Sequence, residues 1–220
     1  MYRKKRITAV VVAAVLLAVL GGCVNKFNAA GYTKALLDVT YKNETEQYIE
    51  LTGSTQEAAD EIFTKSLDAT MEDYEKLNLP DELEKNYRQL FGDLMKSVRY
   101  TVSEAKEDDN GNFTVDVSVE PITIFDDTYS QFQEKAKEYA TQVSNDVMNG
   151  AEMPSEEEMQ NHIYDIYYHI LNEVLEQGLS YGKAEKVTVH INKGEGDIYE
   201  IPKEDMTALD DKMLSREVLQ

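Results

Sequence analysis

Residues 98–120 read VRYTVSEAKEDDNGNFTVDVSVE, and in the second half the apolar residues fall at every other position. Phe113, Val115, Val117 and Val119 alternate with Thr114, Asp116, Ser118 and Glu120. Successive side chains of a strand point to opposite faces, so the alternation predicts a strand with one apolar face and one wet face. Tyr100 and Val102 carry the same period just upstream, and Asn110-Gly111 between the two runs is a strong hairpin signal. A second hairpin is expected at about 185–201. There Val187, Val189 and Ile191 alternate, residues 193–197 turn the chain, and Ile198 to Ile201 brings it back to Pro202. A lone pair of strands is marginal in water, so the two hairpins are most simply stabilised as one small antiparallel sheet.

Outward from the hairpins the period is helical. Tyr32, Ala35, Leu36 and Val39 mark a first helix from about 29 to 41, and a short piece follows at about 44–51. Ser54 with Glu57 has the spacing of a capping box and opens a helix carrying Ile62, Phe63, Leu67, Met71 and Tyr74. Pro80 separates it from a helix with Leu83, Tyr87, Leu90, Phe91 and Leu94 inside, where Asp81 and Glu84 are the expected cap pair. After Pro121, a helix is expected over about 127–148 with Phe132, Ala136, Tyr139, Ala140, Val143 and Val147 inside. Ser155 and Glu158 cap another that runs to Gly178, and Met206, Leu209 and Met213 suggest a last short one. The expected fold class is α+β: a helix-rich single domain, residues 29–220, with helices on one face of a small antiparallel sheet built from the two hairpins.

The first 23 residues have another character. Arg3, Lys4, Lys5 and Arg6 precede an apolar run from Ile7 to Leu20, whose fourteen residues suit the core of a signal peptide. A bilayer-spanning helix needs about 18–20. Leu20-Gly21-Gly22-Cys23 then resembles the lipobox of bacterial lipoproteins. The resemblance implies that residues 1–22 are a signal peptide cut before Cys23, and that Cys23 carries diacylglycerol and acyl chains such as palmitate. It also implies that residues 23–28 are the lipidated tether and that the domain lies at the extracytoplasmic face of the cell membrane. An ordinary membrane anchor, or a secretory signal with an incidental cysteine, would share the charge and the apolar core but not the whole set. Two acyl chains on one residue supply an anchoring that one chain cannot. Tyr32 to Asp38 and Tyr48 to Ser54 are, in addition, similar to segments of uncharacterised surface lipoproteins of Gram-positive gut bacteria. That similarity implies a compartment and no activity.

The chain has a formal charge of −20, and −24 once the four basic residues of 1–22 are removed. Phosphate binding needs clustered Lys and Arg, so nucleic acid is not an expected partner. A surface of this sign suits cationic ligands, basic peptides or a basic protein face, and it is equally the ordinary solvated surface of an acidic protein. Cys23 is the only cysteine, so there is no intrachain disulfide, and lipidation leaves no thiol nucleophile.

Candidate site residues concentrate in the helix after Ser155. Ile163, Ile166, Ile170 and Val174 define its core direction; Tyr167 points the same way, and Tyr164 and Tyr168 lie on the flank away from His162 and His169. Tyr164, Tyr168 and Tyr181 form a possible ligand surface, since aromatic rings beside carboxylates can receive a cation or a sugar. Packing against a neighbouring helix is the commoner use of such rings. His162 and His169 are the metal candidates, but ligand pairs on one helix sit three or four apart and these sit seven apart. No metal or other cofactor is expected beyond the lipid. Asp108, Asn110 and Asn112 share the spacing of a calcium loop, yet Gly111 is not at the sixth position and no Glu stands at the twelfth; a hairpin turn accounts for them. No motif for nucleophilic or metal hydrolysis is present. The expected role is therefore a non-enzymatic binding or protein-interaction module at the cell envelope, contacting an envelope protein, peptide or cationic ligand. A solute-capture lipoprotein of a transporter is the alternative. A carboxylate-dependent envelope hydrolase using Glu158 and Asp165 ranks below it.

Overall fold

The alternating segments are strands in the computed structural model, which describes residues 27–194 and 198–215. They are β1 (Arg99–Val102), β2 (Lys106–Glu107), β3 (Phe113–Glu120), β4 (Glu185–Lys193) and β5 (Tyr199–Glu200). The two hairpins share one antiparallel sheet, in the order β1-β3-β4-β5 with β2 also on β3. They join through β3 and β4, where Phe113 faces Ile191, Val115 faces Val189 and Val117 faces Val187. Phe113, Val115, Val117, Val119, Val189 and Ile191 are all buried, while Thr114, Asp116 and Ser118 point to the open face. Alternation thus fixes which side the helices cover.

Two details of the first hairpin differ from a simple two-residue Asn-Gly turn. Its first strand is interrupted at 103–105, where the Ser103 hydroxyl and amide bond to the backbone of Asp116. The turn is a three-residue loop: Gly111 N–H donates to the Asp108 carbonyl, Asp108 N–H donates to that of Asn112, and Gly111 alone takes a left-handed φ of 81°. That is the turn-plus-bulge solution, in which glycine is needed at one position and not two.

Seven helices complete the fold among the described residues: α1 (Ala29–Leu37), α2 (Glu46–Thr52), α3 (Gln56–Glu75), α4 (Asp81–Lys96), α5 (Ile124–Met148), α6 (Glu156–Gln177) and α7 (Lys203–Met213). The result is a single α+β domain. The expected first helix has the right extent, but its last five residues, Asp38–Lys42, widen into a π-helical turn that closes on the left-handed Asn43. This turn holds a buried carboxylate. Asp38 is 3% exposed, ion-paired with Lys34, 4.0 Å from Lys42 and hydrogen-bonded by the Tyr100 hydroxyl at 2.6 Å. A buried charge persists only when so paired.

Two expected caps move by one residue. Thr55, not Ser54, accepts from the Ala58 amide at the start of α3, and Pro80 stands before α4 without a side-chain bond. Asp81 and Glu84 instead lie in the first turn of α4, where a carboxylate meets the positive end of the helix dipole. The Ser155–Glu158 capping box of α6 forms as expected.

Helices α3 and α4 run antiparallel, with Leu67 against Gly92 and Tyr74 against Tyr87. Helices α5 and α6 make a second antiparallel pair, and α6 packs along α4. The face expected inside α5 is only partly so. Phe132, Ala136, Tyr139, Val143 and Val147 are half-buried and Ala140 is exposed, because α5 has α6 as its one long neighbour. Only Ile124, Phe125 and Thr128, at the root of α5, are fully buried. Helix α7 lies beside β4 and shields its edge. Asp205 accepts the His190 backbone N–H at 2.7 Å, Lys212 meets Glu185 at 2.5 Å, and Met206, Leu209 and Met213 enter the core. An uncovered edge of this length would be open to strand pairing with another chain.

Candidate functional site

Leu20, Gly21, Gly22 and Cys23 lie outside the described residues. The chain is seen from Phe27, four residues after Cys23, and Phe27 is firmly seated. Its ring stacks on Tyr199 with centroids 3.9 Å apart and planes 2° apart, and it meets Phe113 edge-on at 5.6 Å. The described part of the chain therefore starts at the end of the sheet where β3 begins and β5 pairs with β4.

The tyrosines divide into two groups. Tyr164 and Tyr168 turn toward α4 and close around Tyr87, at 6.4 and 5.7 Å between ring centroids. The Tyr87 hydroxyl donates to the Tyr164 carbonyl at 2.7 Å. Burial among these rings pushes the Tyr87 phenol far above its ordinary range, with Tyr74 and Tyr167 adding to the effect, and burial also raises Tyr164. Tyr167 faces the other way, onto Phe132 of α5. A single core direction for α6 is thus replaced by two, one toward each neighbour. Tyr181 stands apart at the root of the helices: its hydroxyl donates to the Ser97 carbonyl at 2.8 Å, and the Arg99 guanidinium covers its ring at 3.7 Å. Tyr164 and Tyr168 thus share the Tyr87 ring, while Tyr181 packs on Ser97 and Arg99.

The histidines of α6 are both exposed. His162 lies against the Tyr139 ring at 4.1 Å, and His169 Nε2 is 3.6 Å from Asp165. Among the described residues, no group of three or more His, Cys, Asp or Glu stands where it could hold a metal ion. Glu158 is taken up by the capping box, where the Ser155 amide and hydroxyl hold its carboxyl below the usual range. It sits seven residues, or about 10 Å of helix rise, from Asp165, so the two do not form a pair. Asp108 is likewise consumed by its turn. The side chain and amide of Asn112 and the amide of Asn110 bond to it and lower its pKa.

His190 is exposed on its strand as the alternation implies, but it is not idle. Its Nδ1 lies 2.9 Å from the Asp205 carboxylate that also receives its backbone N–H. Asp205 is fifteen residues away on another element, so nothing in the local sequence signals the pair. A shallow depression of about 280 Å³ beside it is lined by Lys106, Asp108, Asn112, Thr114, His190 and Asn192. The larger groove, about 590 Å³, lies along α5 alone and is lined by Glu134, Lys137, Glu138, Thr141, Gln142 and Asp146. Small-molecule sites enclose most of their ligand between several elements. A groove lined by one helix does not.

The most distinctive surface is the α5–α6 arm. Residues 124–177 hold twelve acidic residues against two lysines, and one of these, Lys135, is paired with Glu138 at 2.8 Å. At its tip, Met148 is 74% and Met153 57% exposed, and beyond these two only Leu51 is a large exposed hydrophobic among the described residues. Methionine is flexible and polarizable and recurs on surfaces that accept varied partners.

The architecture is a helix-rich α+β domain with one wet sheet face and a long acidic helical pair, α5–α6. No protein-family model matches the chain, and no curated protein matches it. A solved structure with the same fold is the crystal structure of "a putative lipoprotein (ycdA) from Bacillus subtilis subsp. subtilis str. 168". It has a TM-score of 0.59 and 16% sequence identity, over 87% of this chain and 57% of that one. The chain therefore spans a little over half the length of that protein, and at this identity the likeness is one of fold. No described helix is long and apolar enough to cross a membrane.

Proposed function

We propose that this protein is a lipid-anchored domain at the extracytoplasmic face of the cell membrane that works by binding a protein or peptide partner and catalyses no reaction. The observation that carries the reading is Leu20-Gly21-Gly22-Cys23, placed directly after a basic segment and a fourteen-residue apolar core. The fold shared with the Bacillus subtilis structure, itself described as "a putative lipoprotein", supports it. The interaction role is supported by the arm: a strongly acidic helical pair with two exposed methionines at its tip fits a basic partner that brings apolar side chains with it.

A melting screen of residues 24–220 tests the binding part. A ligand that prefers the folded state raises the melting temperature by mass action. A synthetic peptide alternating Leu and Lys should raise it, and Met148→Lys with Met153→Lys should remove the shift. A shift given only by amino acids or sugars, and unchanged in that double variant, would point to solute capture instead. Turnover by the pure domain would end the non-enzymatic reading.

A further inference from the structure

The geometry points to a fixed polarity on the membrane: the turn end of the sheet faces the phospholipid surface, and the tip of the α5–α6 arm is presented away from it. This inference rests on the lipid attachment at Cys23 proposed above.

The first observation is the seat of Phe27. Its ring is clasped by Tyr199, Phe113 and Tyr32, so the chain enters the fold at a defined place. Phe113 begins β3 directly after the 108–112 turn, and Tyr199 begins β5. Four residue steps, about 14 Å at full extension, separate Cys23 from Phe27. A lipid on Cys23 thus keeps the 108–112 turn close to the headgroups, since no longer tether is available.

The second observation is where the arm is rooted. Strand β3 runs eight residues, about 26 Å, from Phe113 to Glu120. At its far end Ile122 bridges to Tyr181 and to Leu214, and α5 starts two residues later. This three-segment junction ties the root of the arm to the end of the sheet opposite Phe27. From there α5 extends twenty-five residues, about 37 Å. It packs along α6, and α6 packs along α4, not along the strands. Near the tip the Gln160 side chain donates to the Leu77 carbonyl in the α3–α4 turn, which holds the two helical pairs side by side.

Charge favours the same polarity. An arm with twelve acidic residues and two lysines is repelled by anionic lipid more strongly than the turn end, where Lys106 and Lys193 stand among Glu107, Asp108, Asp109 and Glu200.

Because Cys23 is the only cysteine and is occupied by lipid, one introduced cysteine is a unique labelling position. The full chain, processed and lipidated, is prepared as Asn110→Cys and as Met153→Cys; both positions are exposed. Each is labelled with a donor fluorophore and reconstituted in phosphatidylcholine–phosphatidylglycerol vesicles containing rhodamine-headgroup lipid. Energy transfer is expected to be several-fold stronger from position 110 than from position 153. In a Phe27→Ala background the difference should narrow, as the entry point loosens. Equal transfer, or stronger transfer from 153, overturns the polarity. Flotation with the vesicles and the acyl mass on Cys23 report on the anchor separately. Loss of either removes the anchor and the polarity together, while reversed transfer in a floating, acylated protein refutes the polarity alone.

Discussion

Raising the pH should unfold this protein through its tyrosines. Tyr32, Tyr41 and Tyr87 are 1%, 4% and 0% exposed, and burial pushes all three phenols well above their ordinary value of 10.0. The Asp210 carboxylate, which the Tyr41 hydroxyl donates to, adds to the rise at Tyr41; Tyr48 and Glu200 add to it at Tyr32. The unfolded chain ionises these phenols near pH 10, and the folded chain keeps them neutral far above that. Their contribution is therefore intact below pH 10 and shrinks as the pH rises beyond it. One pH unit costs about 1.4 kcal/mol for each such group, so three of them remove about 4 kcal/mol per unit. Against a typical total stability of about 5–15 kcal/mol, the domain should unfold between about pH 11 and pH 14. Tyrosinate absorbance and far-ultraviolet circular dichroism, followed together through an alkaline titration, give the test. Exposed tyrosines should ionise first with the helix signal intact, and the buried set should ionise in a steep step that coincides with loss of helix. If all tyrosines ionise near pH 10 while the helix signal persists, the buried assignments are refuted.

Other perturbations separate packing from hydrogen bonding. Tyr87→Phe removes one hydroxyl bond and should cost about 1 kcal/mol, whereas Tyr87→Ala empties the junction of α4 and α6 and should cost about 3–5 kcal/mol. In thermal melts at about 2–4 °C per kcal/mol the two should be well resolved, and equal losses would contradict the ring cluster. Asp205→Ala should cost about 1–3 kcal/mol and expose the His190 amide to rapid hydrogen exchange, because Asp205 is its acceptor. Unchanged protection there would mean that α7 does not shield the β4 edge. Gly111→Ala places a Cβ at a φ of 81° and 3.3 Å from the Lys193 side chain, so urea unfolding should show a loss of about 1 kcal/mol. No loss would argue against the three-residue turn.

The parts of the fold legible in the sequence are those set by local chemistry. The alternation of residues 113–119 fixes the buried face of β3 because side-chain direction in a strand depends only on parity. Ser155 and Glu158 mark a helix start because both halves of a capping box lie within four residues. What depends on distant partners is not written locally. The π-helical turn at Asp38 is held by Tyr100, sixty-two residues away, and the His190–Asp205 pair exists only once α7 has packed. An apolar stripe also says which side of a helix is covered but not by how many neighbours. Helix α5 carries a full stripe and has one long neighbour, so its residues are half-buried; α6 lies between two, so Tyr164 and Tyr168 on one side and Tyr167 on the other are all engaged. At the candidate site, the sequence places Tyr164, Tyr168 and Tyr181 within one stretch, and the structure separates Tyr181 from the others by sending it to the root of the arm, onto Ser97 and Arg99.

Mass spectrometry of the processed protein, wild type beside Cys23→Ser, tests for the lipid on Cys23. The expected result is a mature chain beginning at Cys23 with acyl mass on that residue and retention in the membrane fraction, both lost in Cys23→Ser. An unmodified Cys23 would contradict it, as would an intact segment 1–22 in a protein that stays membrane-bound when Cys23 is replaced.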